Sequence, residues 1–255
     1  MREKNNTELV TLFHQTEDYF FSSISKRRYQ FNKGVSAYLT GVEVSDLNLL
    51  IVKQFSMLSD VVLQEGVRLF EDAGLPFSVV IQNNVGEPSS YFDAPGFTRS
   101  YTSTCMQLNM NEFNPVPAQS DEYKIDCTDA RLTDWAVPLE SAFDSDKSTT
   151  LQYQARHQAA IDAGKALIHF TLYIKTVPVC SLTLSIQHRI ARLDDAGTQI
   201  EFQGKGYASA LLQRALMYAK SKNSCRCFLE ASSEGASVYR RIGFTDLFEY
   251  TGFSR

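Results

Sequence analysis

The chain has 255 residues, 44% hydrophobic and 21% charged, with a formal net charge of −4 at pH 7. That length admits two small domains or one large one, and the composition excludes a disordered chain. So mild a negative charge exerts no general pull on nucleic acid or an anionic membrane, and neither is an expected partner.

The N-terminus, MREKNNTELV, lacks the apolar stretch of a signal peptide, and no apolar run nears the ~18 residues of a membrane span. Five cysteines, an odd number in a chain too large to need disulfides, add to an expected cytoplasmic location. Tyr19, Phe20 and Phe21 read as core aromatics, and Lys26-Arg27-Arg28 as a solvated turn. The stretch DVVLQEGVRLFEDAGLPFSVVI reads as helix then strand, followed by packing aromatics at Tyr91 and Phe92. CMQLNM, residues 105–110, is a strand candidate. The proline-bearing loop NEFNPVPAQSDE is the expected domain boundary, dividing the chain into 1–118 and 119–255.

Beyond the boundary come a short strand in YKIDCTD, helices over about 132–143 and 149–163, and strands in IHFTLYIKT, VPVCSLTLSI and IARLDDAGT. Gly204 and Gly206 then stand directly before a helix whose Leu211, Leu212, Ala215, Leu216 and Ala219 recur at one-face spacing. CRCFLEAS reads as a strand, EGASVYRRIG as a short helix and FTDLFEYTGF as a last strand. Cys225 and Cys227 share a strand face, but without a C-x-x-C pair or clustered histidines they read as small buried hydrophobes. No metal site is expected. The fold class is α/β, with a mixed sheet.

Free amides at a helix N-terminus and the positive end of its dipole attract an anion, and glycines let a phosphate approach the backbone. The segment has neither the third glycine of a dinucleotide loop nor the Gly-Lys-Ser/Thr of a P-loop. Instead, Gln203-Gly204-Lys205-Gly206-Tyr207-Ala208 resembles the Q/R-x-x-G-x-G/A acyl-CoA pyrophosphate motif of the GNAT superfamily of N-acetyltransferases. TQIEF before it is similar to that family's V-x-P-E-Y lead-in, and Tyr239-Arg240-Arg241-Ile242-Gly243-Phe244 to its Y-x-x-x-G-F signature. The resemblance covers about residues 123–255. Thr198 and Ile200 depart from the lead-in, and Ser232 with Gly235 stand where the family often has N-x-x-A.

The resemblance implies the acyl-CoA N-acyltransferase fold, with acetyl-CoA as co-substrate held by Thr198, Gln203, Gly204, Lys205, Gly206, Tyr207, Ala208 and Ser232. It implies direct acetyl transfer to a primary amine of a small molecule or peptide. Tyr239 takes the general-acid position, and Asp194, Asp195 and Glu230 are the candidates for general base. A non-catalytic acyl-CoA sensor or scaffold is the alternative, and the chain is expected to be a monomer or homodimer.

The first half carries a fainter copy. Leu63-Gln64 repeats as Leu212-Gln213, 149 residues on, and Gly96-Phe97 as Gly243-Phe244, 147 residues on. At these offsets Gly204 and Gly206 fall on Phe55 and Met57, and Tyr239 on Phe92. A tandem of two GNAT-like halves follows, the first degenerate. A strand such as 105–110 is expected to complete or cover the second half's sheet.

Overall fold

The computed structural model describes residues 2–83, 92, 96–116 and 121–255. Tyr91 and residues 117–120 of the expected boundary loop lie outside the described residues. The first half comprises α1 (Arg2–Ile24), β1 (Arg27–Gln30), β2 (Val35–Leu39), β3 (Asn48–Val52), α2 (Asp60–Asp72), β4 (Ser78–Gln82) and β5 (Thr98–Asn109). The second comprises β6 (Lys124–Cys127), α3 (Leu132–Ala142), α4 (Lys147–Asp162), β7 (Leu167–Ile174), β8 (Val177–Gln187) and β9 (Ile190–Thr198). It continues with α5 (Tyr207–Ser221), β10 (Arg226–Ser232), α6 (Ala236–Ile242) and β11 (Thr245–Ser254).

The expected basic turn is a strand. Arg27 and Arg28 open β1 on the edge of the sheet, exposed, with Arg28 paired to Asp18 of α1. A charged, solvated edge strand resists pairing with other chains.

Among the described residues, eleven strands form one sheet in the order β1-β2-β3-β4-β11-β5-β10-β9-β8-β7-β6. The order is a two-fold pattern around its middle. β3 runs parallel to β4, as β9 does to β10, and β5 and β11 lie antiparallel between these pairs. β5 begins directly after Gly96-Phe97, as β11 begins directly after Gly243-Phe244. Each half has sent its last strand across: β5 pairs with β10, and β11 pairs with β4. The anticipated completing strand at 105–110 covers the end of β5 and Met110 just beyond it, and the exchange is reciprocal.

The apolar stripe of α5 buries Leu211, Leu212, Ala215, Leu216 and Ala219 against β7, β8 and β9. Met106 and Leu108 of β5, with Met110 just beyond it, join the same core, so the first half fills the second half's interior. On the other face, Phe13 and Phe20 of α1 pack with Ala160 of α4 and Phe228 of β10. Among the described residues, no helix is long and apolar enough to cross a membrane.

Candidate active site

Two local features open the sheet beside α5. The parallel pairing of β9 with β10 ends at Leu193 and Leu229, although β9 continues to Thr198 and β10 to Ser232. Beyond that point the strands diverge. A cleft of about 120 Å³ lies there, lined by Cys180–Leu182 of β8, Ala196–Thr198 of β9, Ala208, Leu211 and Leu212 of α5, and Gly235, Val238 and Tyr239 around α6.

The second feature is the start of α5. Gly206 is its N-cap at φ +84°, Gly204 has φ +74°, and no side chain caps the helix. These conformations suit glycine. A Cβ built at either position meets nothing within 4 Å, so the space on the side of the loop where those side chains would stand is open. The first half differs at the matching place. A short 3-10 turn, Phe55–Met57, precedes α2, and the Ser59 side chain accepts from Val62 N. Its helix N-terminus is satisfied internally and offers an anion less.

Around the loop, Gln203 Nε2 donates to Thr198 O (3.2 Å), and Lys205 Nζ donates to Glu201 O (3.1 Å) while lying over the Phe202 ring. Thr198 Oγ1 donates to Cys180 Sγ (3.0 Å). Tyr207 packs edge-on to Tyr123, and Ser232 Oγ accepts from Gly235 N (3.1 Å), shaping the turn into α6. Tyr239 lines the cleft, and Gly243, at φ +114°, ends α6 so that Phe244 plugs the core edge-on to Tyr239. Burial pushes the Tyr239 phenol up to about 12. Its counterpart Phe92 is buried and stacked on Phe253.

The three candidate carboxylates part company. Asp194 accepts from Arg192 Nε with both oxygens (2.8 and 3.1 Å), and burial pushes it up to about 6. Glu230 accepts a short bond from Ser103 of β5 and is among the lining residues of neither cavity described here. Burial pushes its carboxyl up as well. Asp195 sits in a bulge: β8 and β9 slip register between Ser181/Gly197 and Thr183/Asp194, and Asp195 has φ +55°. A bulge re-aims a side chain that strict alternation would send to the other face. Asp195 therefore reaches Tyr153 of α4, whose hydroxyl donates to Oδ1 at 2.6 Å. Burial, reinforced by the Asp194 charge, pushes Asp195 up to about 7.

Asp195 lines a second, larger cavity of about 560 Å³ between the two halves. Trp135, Leu139, Phe143 and Tyr153 supply its apolar and aromatic walls. Glu43, Asp46, Asp144, Asp146 and Asp195 supply carboxylates, with no Lys or Arg among the lining residues. Asp146 is engaged as the cap of α4, and Asp46 accepts from Ser78. The sequence reading missed this cavity. Glu43 and Asp46 stand 92 and 89 residues from Trp135, and no local pattern announces their meeting.

A splayed mixed sheet beside an uncapped, glycine-led helix is the arrangement of an acyl-CoA transferase fold. Residues 130–244 match the Acetyltransferase (GNAT) family model, and this chain carries a GNAT domain there. The whole chain shares its fold with a GCN5-related N-acetyltransferase from Kribbella flavida (12% identity, 96% of this chain and 94% of that one, TM-score 0.69). The same holds for one from Sphaerobacter thermophilus (18%, 87% and 76%, TM-score 0.63). It also holds for a tandem GNAT protein from the clavulanic acid biosynthesis pathway (12%, 87% and 78%, TM-score 0.59). No curated protein matches the sequence.

Proposed function

We propose that this protein is an N-acetyltransferase that moves an acetyl group from acetyl-CoA to the primary amine of a small, cationic acceptor. The observation that carries the reading is a pair of cavities lined by successive residues of β9, Ala196–Thr198 in the one beside the uncapped α5 and Asp195 in the one lined by carboxylates. In this reading residues 119–255 hold the donor, and residues 1–118 are a degenerate half that supplies β5 and one wall of the acceptor cavity.

The amides from Gly204 to Ala208 and the α5 dipole are suited to a pyrophosphate, with Gln203 and Lys205 at its margin. Acetyl-CoA supplies the thioester that an amine attacks. Ala196–Thr198, on the β9 edge left free by the splay, offer backbone groups along the cleft, and Ser232 shapes its far side. Asp195, at about 7, is the base that takes the ammonium proton, while Asp194 is committed to Arg192. A phenol at about 12 stays protonated at physiological pH, so Tyr239 presents an O–H to the departing thiolate. Carboxylates and aromatic faces in one cavity favour an ammonium.

Tyr239→Phe is expected to lower kcat roughly 10²-fold with little change in KM for acetyl-CoA. Steady-state kinetics against a panel of diamines and amino sugars checks this. An unchanged kcat would remove Tyr239 from the chemistry, and no turnover of any amine by the natural protein would favour the non-catalytic acyl-CoA sensor.

A further inference from the structure

Asp195 ends a chain of polar groups, buried at its two histidines and half-buried at its far end, that the reading above leaves unused. His157 of α4 and His169 of β7 are both fully buried. Asp129, just before α3, has Oδ1 2.9 Å from His169 Nδ1. His169 Nε2 is 2.9 Å from His157 Nδ1, and His157 Nε2 is 3.6 Å from Asp195 Oδ2.

These lengths say where the protons are. Asp129 Oδ1 also accepts from the His169 backbone N–H at 2.7 Å. Burial raises its carboxyl, but the His169 hydrogen bonds outweigh burial and hold it below the usual carboxylate value. A 2.9 Å contact with a carboxylate needs the proton on His169 Nδ1. His169 Nε2 is then an acceptor, so the next 2.9 Å contact needs a proton on His157 Nδ1. That leaves the His157 Nε2 lone pair facing the lone pairs of Asp195 Oδ2. Neither atom has a hydrogen bond of ordinary length and both are shielded from solvent; the buried Thr183 hydroxyl, itself without another partner, stands beside Asp195 and lowers its carboxyl, against the larger effect of burial.

We propose that the gap between His157 Nε2 and Asp195 Oδ2 is a one-proton store, filled when Asp195 takes the acceptor's ammonium proton, with Asp129 and His169 as positioning residues that hold the His157 lone pair toward it. The proposal rests on the transferase reading of Asp195. In the step, the ammonium N–H bond breaks and its electron pair stays on nitrogen. The proton becomes the Asp195 carboxyl O–H, rotation about Cβ–Cγ brings that oxygen to His157, and the hydrogen bond to Nε2 closes the gap. After product leaves, the carboxyl rotates back so that its O–H faces the cavity, the proton passes to water there, and the carboxylate returns.

Asp194 faces the pair from β9, with Arg192 beyond it, and Tyr153 and Arg156 face it from α4. Glu43, Asp46, Asp144 and Asp146 stand across the cavity. Burial pushes His157 well below its ordinary value, so it stays neutral and remains an acceptor. With Asp195 at about 7, the store is filled below neutrality and empty above it.

Two readouts on the full chain test this, and neither uses turnover. 15N NMR of histidine-labelled protein at pH 8 is expected to show His157 protonated at Nδ1 and bare at Nε2, with the Nε2 resonance moving as pH falls through about 7. Asp195→Asn places a permanent N–H in the gap while its carbonyl still accepts from Tyr153. The sign follows from the raised carboxyl: its stabilising contribution is full only below the unfolded value of 3.8, falls as pH rises from there, and is gone once pH passes about 7. The variant is therefore expected to match the natural protein's Tm only below about pH 4, to exceed it slightly at pH 5, and to exceed it by several degrees at pH 8. A proton on His157 Nε2 at pH 8, or a lower Tm for Asp195→Asn at pH 8, is the signature of an ordinary ion pair and would overturn the store. Absence of transfer in the natural protein would sink the transferase reading alone.

Discussion

A fragment of residues 119–255 expressed alone is expected to aggregate, and to recover solubility only when residues 1–118 are co-expressed. The fragment contains the whole family-matched segment 130–244, so its failure would come from the strand exchange. Without β5, the long edges of β10 and β11 that it bridges have no partner. Met106, Leu108 and Met110, each at most 3% exposed, also leave the core beneath α5. Burying three such side chains contributes roughly 5–9 kcal/mol, comparable to the ~5–15 kcal/mol that stabilises a whole domain. Size-exclusion chromatography and circular dichroism decide the matter, and a monomeric, folded, fully active fragment would contradict it.

The second large effect falls on Asp195. Asp195→Ala is expected to lower kcat by roughly 10²–10⁴-fold, the range for losing a general base. In the natural protein kcat/KM is expected to rise about tenfold per pH unit up to the Asp195 value of about 7 and to bend there, since only the carboxylate accepts a proton. The bend should be absent from the Asp195→Ala profile. Asp194→Asn disturbs the Arg192 pair and is expected to cost stability more than rate. Rate–pH profiles of the two variants separate the roles, and a bend near 7 that survives Asp195→Ala would move the base elsewhere.

Much of the second half was legible because its signals are local. The α5 stripe lies within one helix, the two glycines precede it directly, and the Gly243-Phe244 pair serves both as helix stop and core plug. α1 was not legible, since its buried face includes Glu17, satisfied by the Tyr250 hydroxyl 233 residues away. β2 and β3 were missed because they are buried on both faces and show no alternation, and β1 because it is a short, exposed, charged edge strand. The repeat offsets of 149 and 147 did carry the tandem plan, although the sequence reading anticipated one donated strand where the structure exchanges two. Asp195 was visible as one of three acids. Its selection depended on a bulge that only the pairing register reveals, and His157 and His169 meet across two elements with no periodic trace.

The proposed anion site at the start of α5 is tested most directly by calorimetric titration of acetyl-CoA into the natural protein and into Gly206→Glu. The natural protein is expected to bind, and to bind desulfo-CoA comparably, since the pyrophosphate rather than the thioester faces the amides. Gly206→Glu, verified as folded, puts a carboxylate where the phosphates would lie and is expected to lose at least 100-fold in affinity, about 2.7 kcal/mol at 1.36 kcal/mol per decade. Equal affinity in the two proteins, or no binding to either under saturating ligand, would contradict the assignment of residues 203–208 to acyl-CoA.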